Sequence, residues 1–213
     1  MGSLQEGIKP RDFLIPDQII DRTKGIRPFT FYQDGIVGHV PFADPFDPAI
    51  ARVLDRCAGA LQGHDNETAP PVVLHTEGTL VCMEGPQFST RAESNLYRSW
   101  GGSVINMSAL PEAKLAREAE MAYQMVCMAT DYDCWHSSNE TVSVDMVMAH
   151  MRANSLNAQR LVRAVLDELA KDEHADLVNA KHLEGSSRSS ITTSHAGIGL
   201  EARKRIDWLF GRH

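Results

Sequence analysis

The amino-acid sequence predicts an α/β fold, in which helices surround a mixed and largely buried β-sheet. Two observations support this prediction: short apolar runs of strand length alternate with stretches of helical periodicity, and several of those stretches begin with capping residues. The 213 residues suffice for one domain with a sizeable core, so we expect a single domain over 1–213. The apolar content of 43% and the charged content of 23% are ordinary for a globular protein.

The strand candidates are apolar runs bounded by turn-forming or polar residues. We expect one strand over 12–20, interrupted by Pro16, a second extended stretch over 35–42, and a compact buried strand over 104–107. Shorter candidates lie at 72–74, 80–83 and 123–130. Helices between these runs favour a mixed sheet.

The helix candidates have recognisable starts. Asp47 precedes Pro48, an order typical of an N-cap and a first helical position, and Thr90 with Glu93 has the form of a capping box. Further helices are expected from Pro111 and over about 143–171. The segment 184–197 is rich in Ser, Thr and Gly and predicts a mobile loop, and a C-terminal helix is expected within 198–213.

Composition disfavours several classes of function. The net charge of −7 opposes a broad surface for nucleic acid or for an anionic membrane, because either partner would be repelled. No apolar run approaches the roughly 20 residues that span a bilayer. The four cysteines lack C-x-x-C spacing, so we expect reduced thiols of a cytosolic protein rather than a metal site or a disulfide framework.

Three junctions between a strand and the following loop carry unusual polar and aromatic residues. They are 84–94 (EGPQFSTRAES), 104–112 (VINMSALPE) and 128–135 (MATDYDCW). Ligands of α/β sheets collect where strands end, so these junctions are candidate parts of one site.

The third junction contains two carboxylates at spacing i, i+2, Asp131 and Asp133. On extended backbone such a pair points to the same side, which suits a ligand with several N–H donors, a metal ion or acid–base chemistry. A structural interpretation stays open, in which Asp131 caps a turn and Asp133 is solvated. A metal site would need further His or carboxylate ligands, and none is obvious in the neighbouring sequence.

Two apolar residues at the other junctions have two interpretations each. Met107 at the end of a buried strand is either core filler or part of a pocket wall. Phe88, which follows Gly-Pro-Gln at a strand exit, either packs or covers a flat ligand. The residues alone leave both questions open.

Taken together, the three junctions resemble the 5′-methylthioadenosine phosphorylase family, whose motifs they match in order and separation. The segments 19–32 (IIDRTKGIRPFTFY), 38–48 (GHVPFADPFDP) and 141–147 (TVSVDMV) add to the resemblance, which covers about residues 2–170. It implies a nucleoside phosphorylase-like domain that converts 5′-deoxy-5′-methylthioadenosine and phosphate to adenine and 5-methylthioribose 1-phosphate. This reaction belongs to methionine and purine salvage. The resemblance implies that it uses no metal or organic cofactor, and that phosphate acts as a co-substrate.

The resemblance assigns Asp131 and Asp133 to the catalytic, adenine-binding end of the site. Asp131 is implied to meet N7 and the amino group of adenine, with Asp133 beside it. A carboxyl that holds or shares a proton at N7 makes adenine a better leaving group, and a carboxylate accepts from an exocyclic amine. Phe88 is implied to cover the purine face, and Ser89 lies where the family sets its specificity.

At the sugar end, the resemblance implies that Asn106 and Met107 line the ribose. Ser108 stands where the family usually has Thr and keeps the hydroxyl that holds phosphate. An apolar wall for the methylthio group is implied at three valines, Val142, Val144 and Val147, of which Val144 also sets specificity.

The resemblance further implies a homotrimer located in the cytoplasm, with the nucleus as a second compartment. His39 is implied to reach the site of a neighbouring subunit, with Leu209 or Phe210 of the last helix as its apolar companion. Membrane and nucleic-acid partners are not expected.

The start of the sequence departs from the family pattern. Members begin with a glycine-rich phosphate loop, an Arg-His pair and a strand that ends in a Thr/Ser-Ala-x-Gly-Ser-Leu turn, whereas this sequence starts at the last three residues of that turn, 2–4. The resemblance therefore implies an N-terminally truncated, partial domain that lacks the N-terminal third and most phosphate ligands. Losing those strands would expose sheet edges.

Two alternatives to an active phosphorylase of this type stay open. One is a catalytically inactive remnant that acts as an interaction partner, which the missing third favours. The other is a 6-oxopurine nucleoside phosphorylase, which the two carboxylates disfavour because inosine and guanosine carry a carbonyl at C6.

Overall fold

Two β-sheets form the centre of the computed structural model, which describes residues 1–63, 72–136 and 144–210, apart from the side chains of 144–147, 149, 195, 209 and 210. The strands of the described chain are β1 (Gly2–Ser3), β2 (Phe13–Leu14), β3 (Gln18–Arg22), β4 (Leu74–His75), β5 (Thr79–Met83), β6 (Gly102–Asn106), β7 (Cys127–Met128) and β8 (Asp131–Tyr132). The larger sheet has the order β3-β5-β6-β1-β8, and the smaller has the order β4-β2-β7. Both contain parallel and antiparallel pairs, which confirms the predicted mixed α/β architecture.

Three predicted strands differ from the observed ones. The expected strand over 12–20 is two strands, because Pro16 separates β2 from β3 and the two belong to different sheets. Proline has no N–H to donate to a ladder, so a change of sheet at this position is physically reasonable. The stretch 35–42 makes one isolated bridge, Gly38 to Ile191, and only 127–128 of the run 123–130 pair as a strand.

The helices are α1 (Pro48–Arg56), α2 (Arg91–Ser99), α3 (Ala109–Glu118), α4 (Val144–Leu169), α5 (Ala175–Val178), α6 (Ser186–Ser190) and α7 (Leu200–Phe210). Both predicted caps are present. The Asp47 carboxylate accepts from the first N–H groups of α1, and Thr90 with Glu93 forms a reciprocal capping box at α2. No helix in the described ranges has the length and apolar character needed to cross a bilayer.

The segment 184–197 has more local structure than its composition predicts. It contains α6, and the Ser187 N–H donates to the Glu120 carboxylate while the Ser187 hydroxyl donates to the Glu118 carbonyl. Hydrogen bonds to buried partners thus satisfy polar groups of this Ser-rich segment that would otherwise be hydrated. Its mobility stays a prediction, as does the division of the chain into a domain, a loop and a final helix.

The larger sheet is covered on both faces. On one face Leu80, Cys82 and Val104 pack against Leu110 and Ala113 of α3. The opposite face carries a second cluster, made of Leu4, Val81 and Ile105 together with Tyr97 of α2. The residues described next lie at an edge of this second face.

Candidate active site

The register of the larger sheet brings the three junctions to the same end of the strands, the end where β5 and β6 finish. β5 and β6 run parallel, so Met83 and Asn106 both lie at their C-terminal ends. β1 is antiparallel to β6 and parallel to β8, with Gly2 opposite both Ile105 and Asp131. Asp131, the first residue of β8, therefore lies at the end of the sheet where β5 and β6 finish. Sequence spacing could not predict this placement, because it depends on the reversed direction of β8.

The two aspartates lie beside Gly2, on the side of β1 that faces β8. A Cβ atom added to Gly2 would be 3.2 Å from the Asp133 Cβ, 3.4 Å from the Asp131 Oδ1 and 3.2 Å from the Ile105 Cγ2. Both carboxyl side chains therefore share the face that Ile105 occupies. Glycine permits this close approach because it has no side chain of its own.

The Asp133 carboxyl is in an environment that disfavours its charge. The residue is 7% exposed, and its Oδ2 atom is buried without a hydrogen-bond partner among the described residues. Burial raises the pKa of Asp133 above its usual value; contacts with the Ser94 hydroxyl and the Cys134 N–H act against this shift, and the nearby Asp131 charge adds to it. Asp131 itself is only partly buried and accepts a hydrogen bond from the Thr130 hydroxyl at 2.6 Å.

The chain around the aspartates is anchored by contacts that the sequence did not reveal. The Asp133 N–H and the Trp135 indole N–H both donate to the Ser3 carbonyl, at 2.9 and 2.8 Å. The Arg98 guanidinium lies 3.5 Å from the centre of the Trp135 ring and donates from Nε to the Leu4 carbonyl. Arg98 fixes the loop through a cation–π contact. The only sequence signal was its place on the helix that follows the first junction.

Met107 lies against the turn of the first junction. Gly85 has a left-handed φ of +74°, and a Cβ added there would be 2.6 Å from the Met107 sulfur. Strand alternation places Met107 on the same face as Ile105, which is also the aspartate face. Phe88, two residues beyond the cis Gly85–Pro86 bond, is 78% exposed, so its ring is not used as core filler.

Ser89 is buried and contacts the neighbouring strand exit and the aspartate loop. Its hydroxyl lies 3.4 Å from the Met83 sulfur, and its carbonyl accepts a hydrogen bond from the Cys134 thiol at 3.3 Å. Ser89 therefore joins the first junction to the third.

Asn106 and Ser108 do not join the aspartates. The Asn106 amide nitrogen lies 3.5 Å from the Ser108 hydroxyl and 3.5 Å from the Met125 sulfur, on the face opposite Met107. The Asn106 Oδ1 is buried without a partner in the described ranges. Ser108 is exposed at the start of α3. Their assignment to one ligand with Asp131 stays a prediction.

Several predicted site residues cannot be placed by their side chains. Val142 lies outside the described residues, and the side chains of Val144, Val147 and Leu209 lie outside the described ones. His39 is exposed, and its backbone N–H donates to the Ser190 carbonyl at 3.0 Å. An exposed His39 is compatible with a contact to a second chain.

A cavity of about 150 Å³ lies beside the strand exits and is lined by Asp21, Thr23, Gly25, Arg27, Phe29, Glu84, Leu110, Pro111 and Lys114. Its lining does not include Asp131 or Asp133. The charged pairs Arg27–Glu84 and Lys114–Asp21 belong to it, at 2.7 and 2.5 Å. Sequence reasoning assigned no role to these residues.

Among the described residues, one group of side chains has the spacing of metal ligands, away from the strand exits. It consists of Glu168, Glu173 and His174 near the end of α4. Lys171 and His174 already pair with Glu168, so its charge is compensated without an ion. The aspartate pair is not part of this group.

The structure described above is that of an α/β protein with a pair of carboxylates, Asp131 and Asp133, where its strands end. The model of the Phosphorylase superfamily matches residues 1–167, and the chain belongs to that superfamily. It is 66% identical to an S-methyl-5′-thioadenosine phosphorylase of Aspergillus fumigatus over 99% of its own length and 60% of the relative's. An equally named protein of Neurospora crassa is 63% identical, with 99% and 67% covered.

Solved structures agree with this placement. A methylthioadenosine phosphorylase from an antarctic soil metagenomic library has a TM-score of 0.82 and 38% identity, with 98% of this chain and 68% of that one covered. The methylthioadenosine phosphorylase of Schistosoma mansoni, solved with adenine, has a TM-score of 0.78 and 33% identity, with 90% and 70% covered. The chain spans about 60% of the length of the first curated relatives it matches.

Proposed function

We propose that this chain forms the nucleoside-binding part of a phosphorylase that cleaves 5′-methylthioadenosine with phosphate, in methionine and purine salvage. The observation that carries the proposal is the carboxylate pair. Asp131 and Asp133 share one face beside Gly2, and the buried Asp133 has a raised pKa. The names of the relatives, and adenine in the Schistosoma mansoni structure, support the same ligand class.

The chemistry requires that adenine leave as a stable group. An oxygen of phosphate forms a bond to C1′ of the sugar while the bond from C1′ to N9 breaks, and the bonding electron pair moves into the purine. A proton at N7 neutralises that charge, which lowers the barrier. We assign N7 and the exocyclic amine to Asp131 and the storage of the shared proton to Asp133. Burial favours the protonated form of Asp133, which supports its assignment as the group that stores the proton.

The sugar and phosphate contacts rest on the family resemblance. Met107, which packs on Gly85, is proposed to line the ribose together with Asn106. The exposed hydroxyl of Ser108 is proposed to bind phosphate, and Val142, Val144 and Val147 to accept the methylthio group. Phe88 is proposed to cover the purine, since its exposed ring is free to do so.

The proposal includes an assembly and a compartment. We propose a homotrimer in which His39 and Leu209 reach a neighbouring subunit's site, and a reaction without metal or organic cofactor. Cys57, Cys82, Cys127 and Cys134 are all free thiols, which supports a reducing compartment such as the cytoplasm, with the nucleus as a second location. Burial raises the pKa of Cys127 to about 12, so this thiol is unreactive at neutral pH.

The test is phosphate-dependent release of adenine. The chain is incubated with methylthioadenosine, with and without phosphate, and separately with inosine, and the bases are separated by chromatography. The same assay is run on this chain joined to the N-terminal segment of the Aspergillus fumigatus relative. We expect adenine only with phosphate, and little hypoxanthine from inosine. Faster release from inosine would favour a 6-oxopurine enzyme, and no release from either protein would contradict the proposal.

A second candidate, binding of the nucleoside without cleavage, is supported by the isolation of Ser108. No cationic side chain of the described residues donates a hydrogen bond to its hydroxyl, whereas anions are usually held by several donors. Adenine binding by this chain without phosphorolysis, together with turnover by the joined protein, would assign cleavage to the longer form.

A further inference from the structure

The segment that carries Arg27 joins two strand exits of the proposed site. Arg27 donates from Nε to the Glu84 Oε1 at 2.7 Å and from Nη1 to the Met107 carbonyl at 2.9 Å. Glu84 directly follows β5, and Met107 directly follows β6. One planar guanidinium therefore fixes the distance between the two exits.

The acceptor side of this contact is itself held in place. The other carboxylate oxygen of Glu84 accepts from the Lys24 N–H at 2.9 Å. The Lys24 N–H and then the Arg27 guanidinium hold the pKa of Glu84 below its usual range. Gly25, between them in sequence, has a left-handed φ of +66°, which lets the chain turn so that both groups reach one carboxylate.

The Met107 side chain is held from the opposite direction. Its sulfur occupies the space where Gly85 lacks a Cβ atom. Because the peptide group is planar, a fixed Met107 carbonyl also fixes the direction of the next N–H, that of Ser108. Arg27 thereby orients the peptide group between Met107, which is proposed to line the ribose, and Ser108, which is proposed to bind phosphate.

We propose that Arg27 is a positioning residue for the sugar end of the site, acting through the Met107 carbonyl and Glu84. The inference rests on the proposed nucleoside function. The aspartates lie on other strands and are anchored through Ser3 and Arg98 instead. Loss of Arg27 therefore affects recognition of the ribose and leaves recognition of the base intact.

The experiment compares two ligands by calorimetry, adenine and methylthioadenosine. In Arg27→Gln we expect the affinity for methylthioadenosine to fall about tenfold, the scale of couplings from residues that do not touch the ligand. The affinity for adenine should change by less than about twofold, within the usual independence of separate sites. Arg27→Lys should show most of this loss of affinity for methylthioadenosine, because a lysine cannot offer two donors in one plane. Lys171→Gln, which removes the surface pair with Glu168 at the end of α4, is the control and should change neither affinity.

A second measurement reports on Met107 directly. Its methyl NMR resonance, assigned with Met107→Leu, should shift in Arg27→Gln and in Glu84→Gln, while Lys171→Gln leaves it in place. Equal loss of affinity for both ligands, or an unmoved Met107 resonance, would show that Arg27 only stabilises the fold. If Arg27→Gln does not fold, Glu84→Gln and Arg27→Lys carry the same comparison. Binding of neither ligand by the unaltered chain would instead contradict the proposed function itself.

Discussion

The base end and the phosphate end of the proposed site differ in how completely this chain builds them. Around Asp133, two donors of the segment 133–135 converge on one carbonyl, that of Ser3, and Arg98 packs over the Trp135 ring. At Ser108, an exposed hydroxyl has one weak contact within the described residues, from the Asn106 amide nitrogen at 3.5 Å. A preorganised group binds a ligand at lower cost than an unconstrained one. From this difference we expect base recognition and anion recognition to be separable in this chain.

The largest expected effect is at the base end. Asp131→Asn replaces a carboxylate, proposed to accept from the exocyclic amine and from a protonated N7, by a neutral amide that supplies no charge to either contact. Truncating one member of a buried charged hydrogen bond typically costs about 2–5 kcal/mol. We expect the adenine affinity, measured by calorimetry, to fall by an amount in this range. Asp176→Asn, at an exposed carboxylate paired with Lys181, is the matched control and should bind adenine normally. Unchanged affinity in Asp131→Asn would remove Asp131 from the site.

A smaller effect is expected at the phosphate end. Ser108→Ala removes one hydroxyl, and a single hydrogen bond contributes about 0.5–1.5 kcal/mol. In the protein joined to the relative's N-terminal segment, the KM for phosphate should rise accordingly while the adenine affinity stays the same. A fall in adenine affinity on Ser108→Ala would show that the two ends are not separable.

The smallest effect is on stability, and it follows from the raised pKa of Asp133. Above the ordinary pKa of 3.8, Asp133 holds more of its proton in the folded chain than in the unfolded one, so its contribution to the free energy of unfolding decreases as pH rises through the folded pKa. Asp133→Asn removes this dependence. Urea unfolding from about pH 4 to 7 should therefore show the variant gaining stability relative to the unaltered chain. A difference in unfolding free energy between the two proteins that stays constant across this pH range would mean that the pKa of Asp133 is not raised.

The sequence predicted the local features of this molecule better than its long-range pairing. The capping box of α2 and the Asp47 cap depend on residues within three positions of one another, and both are present. The split of 12–20 between two sheets depends on which strands lie beside β2 and β3, and no local pattern contains that information. The structure of 184–197 was missed for the same reason, since Glu118 and Glu120 lie far away in sequence.

The candidate site shows the same division. The i, i+2 spacing of Asp131 and Asp133 predicted a shared side, and the structure places both beside Gly2. The anchoring roles of Arg98 and Arg27 could not be predicted, because each reaches a backbone carbonyl on a distant strand. Strand alternation also separates Asn106 from Met107, which the motif presents as neighbours. Side-chain direction therefore needed the register of the sheet.

The most direct test of the account is the choice between two bases that differ at C6. Adenine carries an amine there and suits a carboxylate, whereas hypoxanthine carries a carbonyl that a carboxylate would repel. Calorimetric titration of this chain should give an affinity for adenine more than about a hundredfold above that for hypoxanthine, because a site built for a donor rejects the analogue without it. Asp131→Asn should narrow or reverse that ratio. Equal affinities for the two bases in the unaltered chain would contradict the assignment of the aspartate pair to adenine.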